Sequence, residues 1–358
     1  AMRHSAACLI AVVALLGGLS APAGPPAAGA EADDPAAERQ EEIDAAIDRA
    51  LKHLSERQRD DGAFEGGKEG NTAITSLAAM AFLAKGHTPG TGPYGEVINK
   101  AVDFVVASQR ENGLLLGHRI ANGPMYSHGI ATLMLSEVSG MLSEDRQKRV
   151  DAAQSRALKL ILDAQNHKKR GKHDEGGWRY QPNSPDSDIS CTGWQLMALR
   201  SARTNGAPVP KEAIEEGIEF ILRCHDKDGG FKYKPRSGGA GLGRTGTALL
   251  CLELTGHHDQ PITRKAGDFI LRDIGVTGRG KRRIKDGHFF YATYYCSQAM
   301  FQLGGEYWRG WASVMYPQLL ESQRKDGSWR GRHGSTYCTA MSVLAMGVVY
   351  RQLPIYQR

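Results

Sequence analysis

One short element recurs along the chain at a nearly constant interval, and this repetition constrains the fold more than any other feature. Each copy begins with glutamine, and Asp or Asn follows three residues later. Glycine comes next, and an apolar residue stands two positions after the glycine, as in Gln58–Phe64, Gln109–Leu115 and Gln323–Trp329. Variant copies are His225–Phe231, a longer one at Gln165–Trp178, and a degenerate one between Asp268 and His288. Copies roughly 50 residues apart are typical of a repeat architecture, so we predict six units.

Each unit contains two apolar patterns that predict two kinds of helix. Before the glycine turn the pattern is amphipathic, with apolar residues three or four positions apart, as in Ile43, Ile47, Leu51 and Leu54, or Ile214, Ile218, Ile221 and Leu222. After the turn the pattern is apolar on all sides, which is typical of a buried helix. The six buried segments are Thr72–Leu83, His128–Val138, Ser190–Leu199, Thr245–Leu254, Tyr291–Leu303 and Thr336–Val349.

The alternation of exposed and buried helices predicts an all-α protein, an α/α toroid of six hairpins with an outer ring around an inner ring. An open solenoid would need distinct polar units at its two ends to cover the apolar faces, and the sequence shows none. We therefore expect one closed α6/α6 barrel over residues 40–350, after a linker at 31–39 and before a C-terminal tail at 351–358.

The element at Gln323–Trp329 resembles the QW repeat of the terpenoid cyclase and protein prenyltransferase superfamily. The turns at Gly176–Trp178 and Gly229–Phe231 resemble the version found in prenyltransferase β-subunits. The resemblance covers residues 40–350 and extends to the bacterial prenyltransferase/squalene oxidase repeat proteins, which are squalene–hopene-cyclase-like. It implies the toroid fold, whereas function has to be argued from a site, because one fold serves many functions.

The segment Pro185–Ser190 carries the strongest candidate for catalysis. The resemblance to class II terpenoid cyclases implies an Asp-x-Asp-Asp motif here, whose middle aspartate protonates an alkene or epoxide. Asp186 and Asp188 match the first and third positions, and Ile189 stands where the last aspartate would be. Asp188 would be the proton donor, its pKa raised by an apolar pocket and by Asp186. The alternative is a structural Asp188 that caps the following helix by accepting from backbone N–H groups.

The remaining candidate residues lie mostly where the buried helices are predicted to begin. Because these ends would meet at one mouth of the barrel, we predict an apolar ligand pocket there with a few polar groups. Tyrosine faces in such a pocket could stabilise a carbocation. The candidate ligand-binding residues are Tyr126, His128, Trp194, Arg244, Tyr291, Tyr294 and Tyr337. The alternative is that these large aromatic side chains simply fill the lumen.

We expect no metal and no cofactor. The resemblance to protein prenyltransferases implies zinc held by an Asp-x-Cys pair and a distant histidine. Here the cysteine follows Asp188 one residue late, at Cys191, and Thr336–Cys338 occupies the place of the histidine. Only Asp188, Cys191 and His333 could be brought together, which is fewer than the four ligands that zinc prefers.

The charge of the chain limits the classes of partner. Lys and Arg number 45 against 39 Asp and Glu, and this formal net charge of +6 is too small to predict a nucleic-acid partner. Two basic clusters, Lys168–Lys172 and Arg279–Lys285, lie in predicted loops. They suit contact with a protein, a membrane surface, a diphosphate or an acidic polymer, or are simply solvated.

The N-terminus predicts export. Met2–His4 supplies a positive start, and Ala6–Leu19 is an uncharged apolar run, shorter than the roughly 20 residues of a spanning helix. Small residues follow as far as Ala30, so we expect a signal peptide at 1–30 and a periplasmic or extracellular protein. Cys8 would leave with it, and the other five cysteines, which lack CxxC spacing, are expected to be buried free thiols.

Three hypotheses for function follow. The leading one is an exported terpenoid-cyclase-like toroid that binds an apolar small molecule or lipid of isoprenoid type in its central cavity, as a class II cyclase if it is an enzyme. The second is a non-catalytic binding or scaffold module for a protein or polysaccharide. The third is an α/α-toroid polysaccharide lyase or hydrolase that uses Tyr126, His128 and Arg244. A deep apolar lumen favours the first, a filled lumen the second, and a long polar groove the third.

Overall fold

The computed structural model describes residues 35–64, 71–117, 123–258, 260–277 and 281–356. Within these ranges, the outer helices are α1 (Gln40–Ser55), α3 (Gly95–Ala107), α5 (Glu144–Gln165), α7 (Lys211–Arg223), α9 (Pro261–Asp273) and α11 (Gly305–Ser322). The inner helices are α2 (Thr72–Ala84), α4 (Pro124–Glu137), α6 (Ile189–Thr204), α8 (Leu242–Leu254), α10 (Phe289–Leu303) and α12 (Ser335–Met346). The predicted signal peptide lies outside the described residues.

The inner helices form a closed ring. Each packs against the next one along the chain, and α12 packs against α2, which closes the circle. Nearly every residue of these helices is buried, because they have the outer ring on one side and the lumen on the other. The structure therefore confirms the all-α toroid of six hairpins. A short antiparallel hairpin, β1 (Lys232–Lys234) with β2 (Ser237–Ala240), lies between α7 and α8.

The glutamine of the repeat joins neighbouring units. The side-chain amide of Gln58 donates to the carbonyl of Gly62 at 3.0 Å and to that of Val97 in α3 at 2.8 Å. Equivalent pairs of bonds are made by Gln109 and Gln165. Gln323, in the last unit, donates to Ala46 in α1 at 2.8 Å. The repeated residue that revealed the period thus also joins the last unit to the first.

The glycine of the repeat is required for this junction. Gly62 and Gly327 have φ values of +86° and +82°, in the left-handed region that disfavours residues with a Cβ. A Cβ at either position would also overlap a backbone carbonyl of the next outer helix, Lys100 or Arg49. Glycine is therefore needed both for the turn and for the close approach of the two units.

The predicted buried segments lie within the observed inner helices except at two ends. Val138 is the C-cap of α4 and not its last helical residue. The last predicted segment continued to Val349, whereas α12 ends at Met346 and the chain tightens into a 3-10 helix over Gly347–Tyr350. This tighter turn redirects the chain toward the C-terminal residues that close the barrel.

The far end of the barrel, where the inner helices terminate, is covered by residues 353–356. The backbone carbonyl of Ile355 accepts from Arg200 at 2.9 Å, and its N–H donates to the carboxylate of Glu137 at 3.1 Å. The Tyr356 hydroxyl lies 2.7 Å from that of Tyr294, deep in the lumen. Complete burial raises the pKa of Glu137 to about 7. The predicted tail therefore includes a segment that closes one end of the lumen.

The five cysteines after the N-terminal segment are all buried, as predicted: Cys191, Cys224, Cys251, Cys296 and Cys338. Burial raises the pKa of the Cys251 thiol to about 12, so this thiol stays protonated at neutral pH. In the part of the chain that the structure describes, no helix is long and apolar enough to cross a membrane.

Candidate functional site: the open mouth of the barrel

Asp188 is the N-cap of α6 and is completely buried. One carboxylate oxygen, Oδ1, accepts from the backbone N–H groups of Ser190 and Cys191, both at 2.9 Å. The other, Oδ2, accepts from Nη1 of Arg179 at 2.9 Å. Burial raises the pKa of Asp188, whereas the backbone donors and the guanidinium of Arg179 oppose that rise. The capping role proposed from the sequence is confirmed.

This geometry bears directly on catalysis by Asp188. A general acid must hold its proton on an oxygen that faces the substrate. Both oxygens of Asp188 instead face donors within the protein, and Arg179 supplies a permanent positive charge that favours the carboxylate. The proton-donor role thus stays a prediction, and it requires Arg179 to move away from Asp188.

Asp186 and Asp188 are joined through Arg179. The carboxylate of Asp186 lies 3.4 Å from Nε of Arg179 and 2.6 Å from Nζ of Lys234 on β1. Burial acts to raise the pKa of Asp186, but Lys234 and Arg179 outweigh it and the net direction is downward. Asp186 is therefore an anion that pairs with two cations. It does not share a proton with Asp188.

Arg179 also binds two tyrosines. Its guanidinium lies 4.1 Å from the ring centroid of Tyr180 and donates to the Tyr233 hydroxyl at 2.9 Å. The two hydroxyls are 2.6 Å apart. We call Arg179, Asp186, Asp188, Tyr233 and Lys234 the ion-pair cluster. Arg179, Tyr233 and Lys234 escaped sequence-based prediction, although a signal existed: each lies within three residues after the Gly-Gly-Trp or the Gly-Gly-Phe turn.

Three of the predicted ligand-binding tyrosines lie at the mouth. The hydroxyl of Tyr291 lies 2.6 Å from Thr247 Oγ1 and donates to Ser190 Oγ at 3.0 Å, which links the starts of α10, α8 and α6. Tyr337 lies at the start of α12, with its ring 5.3 Å from that of His333. Tyr126, at the start of α4, lies 5.9 Å from the ring of Tyr180. These tyrosines surround the entrance from different inner helices.

Two other predicted residues lie deeper and pack against each other. The rings of Trp194 and Tyr294 are stacked with centroids 5.6 Å apart, and both side chains are almost wholly buried. The ring of Tyr295, the next residue of α10, contacts both of these rings. In this part of the barrel the aromatic side chains fill the lumen, which was the alternative to ligand binding.

His128 does not lie at the mouth, contrary to the prediction. Its Nδ1 accepts from the N–H of Leu115 at 3.0 Å, its Nε2 bonds to the carbonyl of Ala157 at 3.1 Å, and its side chain is fully buried. Burial lowers its pKa to about 4, so it is neutral at pH 7. In other units the same backbone N–H is accepted by a threonine: Thr75, Thr192, Thr245 or Thr339. His128 therefore replaces a structural threonine.

The predicted combination of Tyr126, His128 and Arg244 is not assembled. Arg244 is half-buried in the first turn of α8, and Tyr126 is at the mouth. His128, however, has both ring nitrogens bonded to backbone groups. The acid–base chemistry of a polysaccharide lyase would have to come from other residues.

A large pocket of about 960 Å³ opens beside the mouth. The loop before α10, the start of α10, one face of α11 and the turn before α12 enclose it. Tyr291 and Tyr337 lie on its inner side together with Phe289 and Phe290. We call this cavity the rim pocket. It joins the aromatic entrance of the lumen to the outer surface of the fifth and sixth units.

The outer side of the rim pocket is strongly basic. Its five exposed cationic residues are Arg282, Arg283, Lys285, Arg330 and Arg332, and its two acidic residues are Asp286 and Glu321. Among the described residues none of the five cations is in an ion pair. His288 and His333 are stacked, with centroids 6.1 Å apart. Burial lowers the pKa of His333, and the charges of His288 and Arg332 act in the same direction.

Comparison of the sequence with known proteins gives one informative match. No protein-family model matches the chain. Drimenyl diphosphate synthase of Streptomyces showdoensis is 27% identical over 197 residues, which is 54% of this chain and 33% of that enzyme. The chain thus spans only about a third of the length of this relative.

Comparison with solved structures gives more complete matches. An alpha-1,6-mannanase of a Salegentibacter species has a TM-score of 0.64 at 10% identity, over 87% of this chain and 99% of its own. The type II terpene cyclase MstE from Scytonema has a TM-score of 0.59 at 16% identity, over 87% and 99%. A variant of that cyclase in complex with geranylgeranyl dihydroxybenzoate has a TM-score of 0.55 at 14% identity, over 88% and 100%.

These matches confirm the resemblance inferred from the repeat. The chain is a terpenoid-cyclase-like α/α toroid, and the same barrel also resembles that of a mannanase. At such low identities the structural likeness establishes the fold and leaves the chemistry to the residues of the mouth.

Proposed function

We propose that this protein binds an isoprenoid-type ligand at the open mouth of the barrel, with the apolar part of the ligand in the rim pocket. The observation that carries this proposal is the pocket itself, about 960 Å³ in volume with Phe289, Tyr291 and Tyr337 on its inner side. That volume lies at the upper end of the range typical of small-molecule sites, about 300–1,000 Å³. An apolar ligand that covers half-buried aromatic rings removes apolar surface from water, which makes the free energy of binding more favourable.

One toroid is sufficient for such a ligand. This chain covers 99% of the type II terpene cyclase MstE, so a cyclase of that type can consist of a single barrel of this size. The closed far end of our barrel, sealed by residues 353–356, leaves the mouth as the route of entry. Export through the predicted signal peptide would place the ligand site outside the cytoplasm.

Cyclisation started by protonation of the ligand goes beyond ligand binding, and the geometry around Asp188 sets a condition for it. Asp188 could protonate a ligand only after Arg179 leaves its Oδ2, because that oxygen now accepts a hydrogen bond from Arg179 and does not face a ligand. We therefore propose ligand binding as the basal function, with turnover dependent on that rearrangement. Product analysis after incubation with geranylgeranyl diphosphate, for wild type and Asp188→Asn, tests it. A cyclic product from wild type alone would establish the cyclase.

Binding itself is tested with geranylgeraniol, a neutral isoprenoid alcohol. We expect saturable binding by calorimetry that weakens about tenfold in Tyr337→Ala, through loss of aromatic contact at the pocket. Met141→Ala is the matched control, since Met141 is an exposed apolar side chain beyond the far end of α4. Lipid extraction and mass spectrometry of the purified protein should also reveal co-purified isoprenoids. The absence of binding by wild type, or equal weakening in both variants, would refute the proposal.

A glycan is the second candidate ligand, favoured by two carboxylates in the same pocket. Asp286 and Glu321 both line the rim pocket, and paired carboxylates are the usual machinery of glycoside hydrolysis. The barrel also resembles that of a mannanase. Release of reducing ends from an α-1,6-mannan, lost in Glu321→Gln, would establish this function in place of the first.

A further inference from the structure

We propose that residues 353–356, which we call the stopper, form a releasable gate at the far end of the lumen, held closed by Glu137 and Arg200. The stopper follows the last inner helix and includes the short 3-10 helix Pro354–Tyr356. Its release would convert a barrel that is closed at one end into a channel that is open at both ends. Because this inference concerns access to the lumen, it does not rest on the ligand proposed above.

The first observation is that the ring of helices is complete without the stopper. Helix α12 already packs against α2, and the stopper comes after that closure in the chain. The stopper packs mainly against α6 and buries the side chains of Leu353, Ile355 and Tyr356. It therefore fills the end of a barrel whose walls are formed by other residues, and its release would leave those walls in contact with each other.

The second observation is how the stopper is attached to the ring. The N–H of Ile355 donates to the carboxylate of Glu137 at 3.1 Å, and its carbonyl accepts from Nη1 of Arg200 at 2.9 Å. The side-chain amide of Gln302 donates to the carbonyl of Tyr356 at 3.3 Å. A short segment attached in this way can open locally at a smaller free-energy cost than unfolding of the ring.

The third observation is a strained residue next to the stopper. Arg351 has φ of +52° and ψ of +32°, and within the described part of the chain it is the one residue other than glycine with a positive φ. This left-handed conformation is unfavourable for residues with a Cβ, and it persists where surrounding contacts impose it. Release of the stopper would allow Arg351 to return to an ordinary conformation. The strain at Arg351 therefore favours release, whereas burial of the stopper opposes it.

The fourth observation is that the stopper reaches the aromatic side chains of the lumen. The hydroxyl of Tyr356 lies 2.7 Å from that of Tyr294. The ring centroid of Tyr294 lies 5.0 Å from that of Tyr295, which in turn lies 4.8 Å from that of Tyr291 at the mouth. A continuous row of tyrosines thus extends from the stopper to the mouth. Withdrawal of Tyr356 would remove the lower end of this row and open the lumen behind it.

Glu137 is the group that makes release sensitive to pH. Complete burial raises its pKa to about 7, although its hydrogen-bond donors and Arg200 oppose that rise. Among the described residues, the charged or titratable groups that face it are Arg200 on α6, Tyr294 on α10 and Tyr356. Arg200 stays charged, and burial raises the pKa of both tyrosines, so of these four groups Glu137 alone changes its charge near neutral pH.

Release favours the charged form of Glu137, because it exposes the carboxyl group to water, where its ordinary pKa is 4.5. The closed form therefore holds a proton that the open form has lost between pH 4.5 and about 7. Closure is favoured at acidic pH and weakens as the pH rises through about 7. From these two pKa values, the ratio of closed to open molecules should fall about tenfold between about pH 6 and pH 8.

The thiol of Cys251 provides a reporter of release. Cys251 lies on α8 close to Tyr294 and Tyr356, and its side chain is 1% exposed. Cys224, at the end of α7 before the β1–β2 hairpin, is also buried and is the matched control. Labelling with N-ethylmaleimide, followed by mass spectrometry of each cysteine-containing peptide, measures both rates in the same sample. No ligand takes part, so the outcome is independent of the proposed function.

Two variants without a docked stopper test the gate: deletion of residues 353–358, and Ile355→Asp, which places a second acid beside Glu137. In both we expect Cys251 to be labelled at least about tenfold faster than in wild type, whereas the rate at Cys224 changes by less than about twofold. Equal acceleration at both cysteines, or unchanged labelling of Cys251, would overturn the gate. Thermal unfolding measured alongside shows that the labelled variants are folded.

Arg351→Val and Arg351→Asn form a matched pair for the strained residue. Both lose the guanidinium that lies 5.1 Å from the ring centroid of Phe301. Asparagine tolerates the left-handed conformation, whereas the β-branched valine strongly disfavours it. We expect Cys251 to be labelled several-fold faster in Arg351→Val than in Arg351→Asn. Equal rates would show that the strain at Arg351 contributes nothing to release.

Labelling of wild type and Glu137→Gln at about pH 6 and pH 8 tests the role of Glu137. Rates are divided by those of glutathione at the same pH, which removes the titration of the thiol itself. The corrected rate of Cys251 should rise about tenfold in wild type and by less than about twofold in Glu137→Gln, because glutamine carries no charge at either pH. The same rise in both proteins would show that Glu137 does not control release.

Discussion

The two sides of the barrel mouth handle charge in opposite ways. Around the start of α6, Arg179 and Lys234 each bind an aspartate, and the central carboxylate is completely buried. Around the start of α10, Arg283 and Lys285 are exposed beside a large cavity and bind no acid among the described residues. The same kinds of side chain thus close one side of the mouth and leave the other side open.

This difference separates the residues that stabilise the fold from those that are available to bind a ligand. A buried carboxylate whose two oxygens already accept hydrogen bonds within the protein has little left to offer a ligand, and breaking its ion pair is costly. Exposed, unpaired cations contribute little to stability, so their clustering calls for another explanation. The paired aspartates, which resemble a catalytic motif, are on the structural side. The less conspicuous basic loop is on the available side.

The largest expected effect is that of Arg179→Met. It leaves Asp188 buried without its counter-ion, which we expect to lower the free energy of unfolding by about 3–5 kcal/mol in urea denaturation. Arg283→Met, on the open side, should change it by less than about 0.5 kcal/mol. Similar losses in the two variants would abolish the distinction between the two sides.

The pH dependence of the stability of Arg179→Met gives a second test of the role of Arg179. Without Arg179 the folded-state pKa of Asp188 rises further above its ordinary value of 3.8. The folded variant then holds a proton that the unfolded chain has lost, so its stability falls as pH rises from about 4 toward the raised pKa. The deficit relative to wild type should therefore be smallest near pH 4. A deficit that is independent of pH would show that Arg179 acts mainly through packing.

Asp188→Asn should have the next largest effect. Asparagine is also a good N-cap, so the cap alone predicts a loss of only a few tenths of a kcal/mol. Because Arg179 would lose a charged acceptor at 2.9 Å, we expect about 1–3 kcal/mol instead. Thermal or urea unfolding of Asp188→Asn decides between the two values. A loss of unfolding free energy near zero would mean that Asp186 is by itself a sufficient acidic partner for Arg179.

Lys234→Met should lower the free energy of unfolding by a smaller amount, since the ion pair between Lys234 and Asp186 is partly exposed. The side chains of the pair are 28% and 25% exposed, and we expect a loss of about 0.5–1 kcal/mol that shrinks in high salt. Urea unfolding at low and high salt measures it. A loss as large as that of Arg179→Met would extend the tightly paired region to the β1–β2 hairpin.

The smallest effect concerns His333, on the open side. Burial lowers its pKa below 6.5, so the unfolded chain binds the proton first as pH falls, and wild-type stability decreases through that range. His333→Gln should remove this decrease, by less than about 0.5 kcal/mol because the ring is largely exposed. Unfolding curves from pH 7.5 to 5.5 test it. An unchanged pH profile would show that His333 titrates alike in both states.

Local features of the sequence were predictable because their causes lie within a few residues. The Gln-to-Gly element, recurring roughly every 50 residues, was enough to predict a closed ring of helical hairpins. Asp188 as an N-cap also follows from its position alone, since it bonds to backbone groups two and three residues away. The apolar composition of the inner helices likewise predicted that their cysteines would be buried.

Contacts between distant residues were decided only by the tertiary structure. Tyr233 lies 54 positions from Arg179, yet the ring of hairpins brings them together. His128 resembles a ligand-binding residue in the sequence, but the packing of α4 against α5 leaves its ring only backbone partners. The rim pocket arises where Gln318 on one helix fixes Ile284 in another unit. Periodicity specifies which faces are buried, whereas closure of the ring decides which side chains meet.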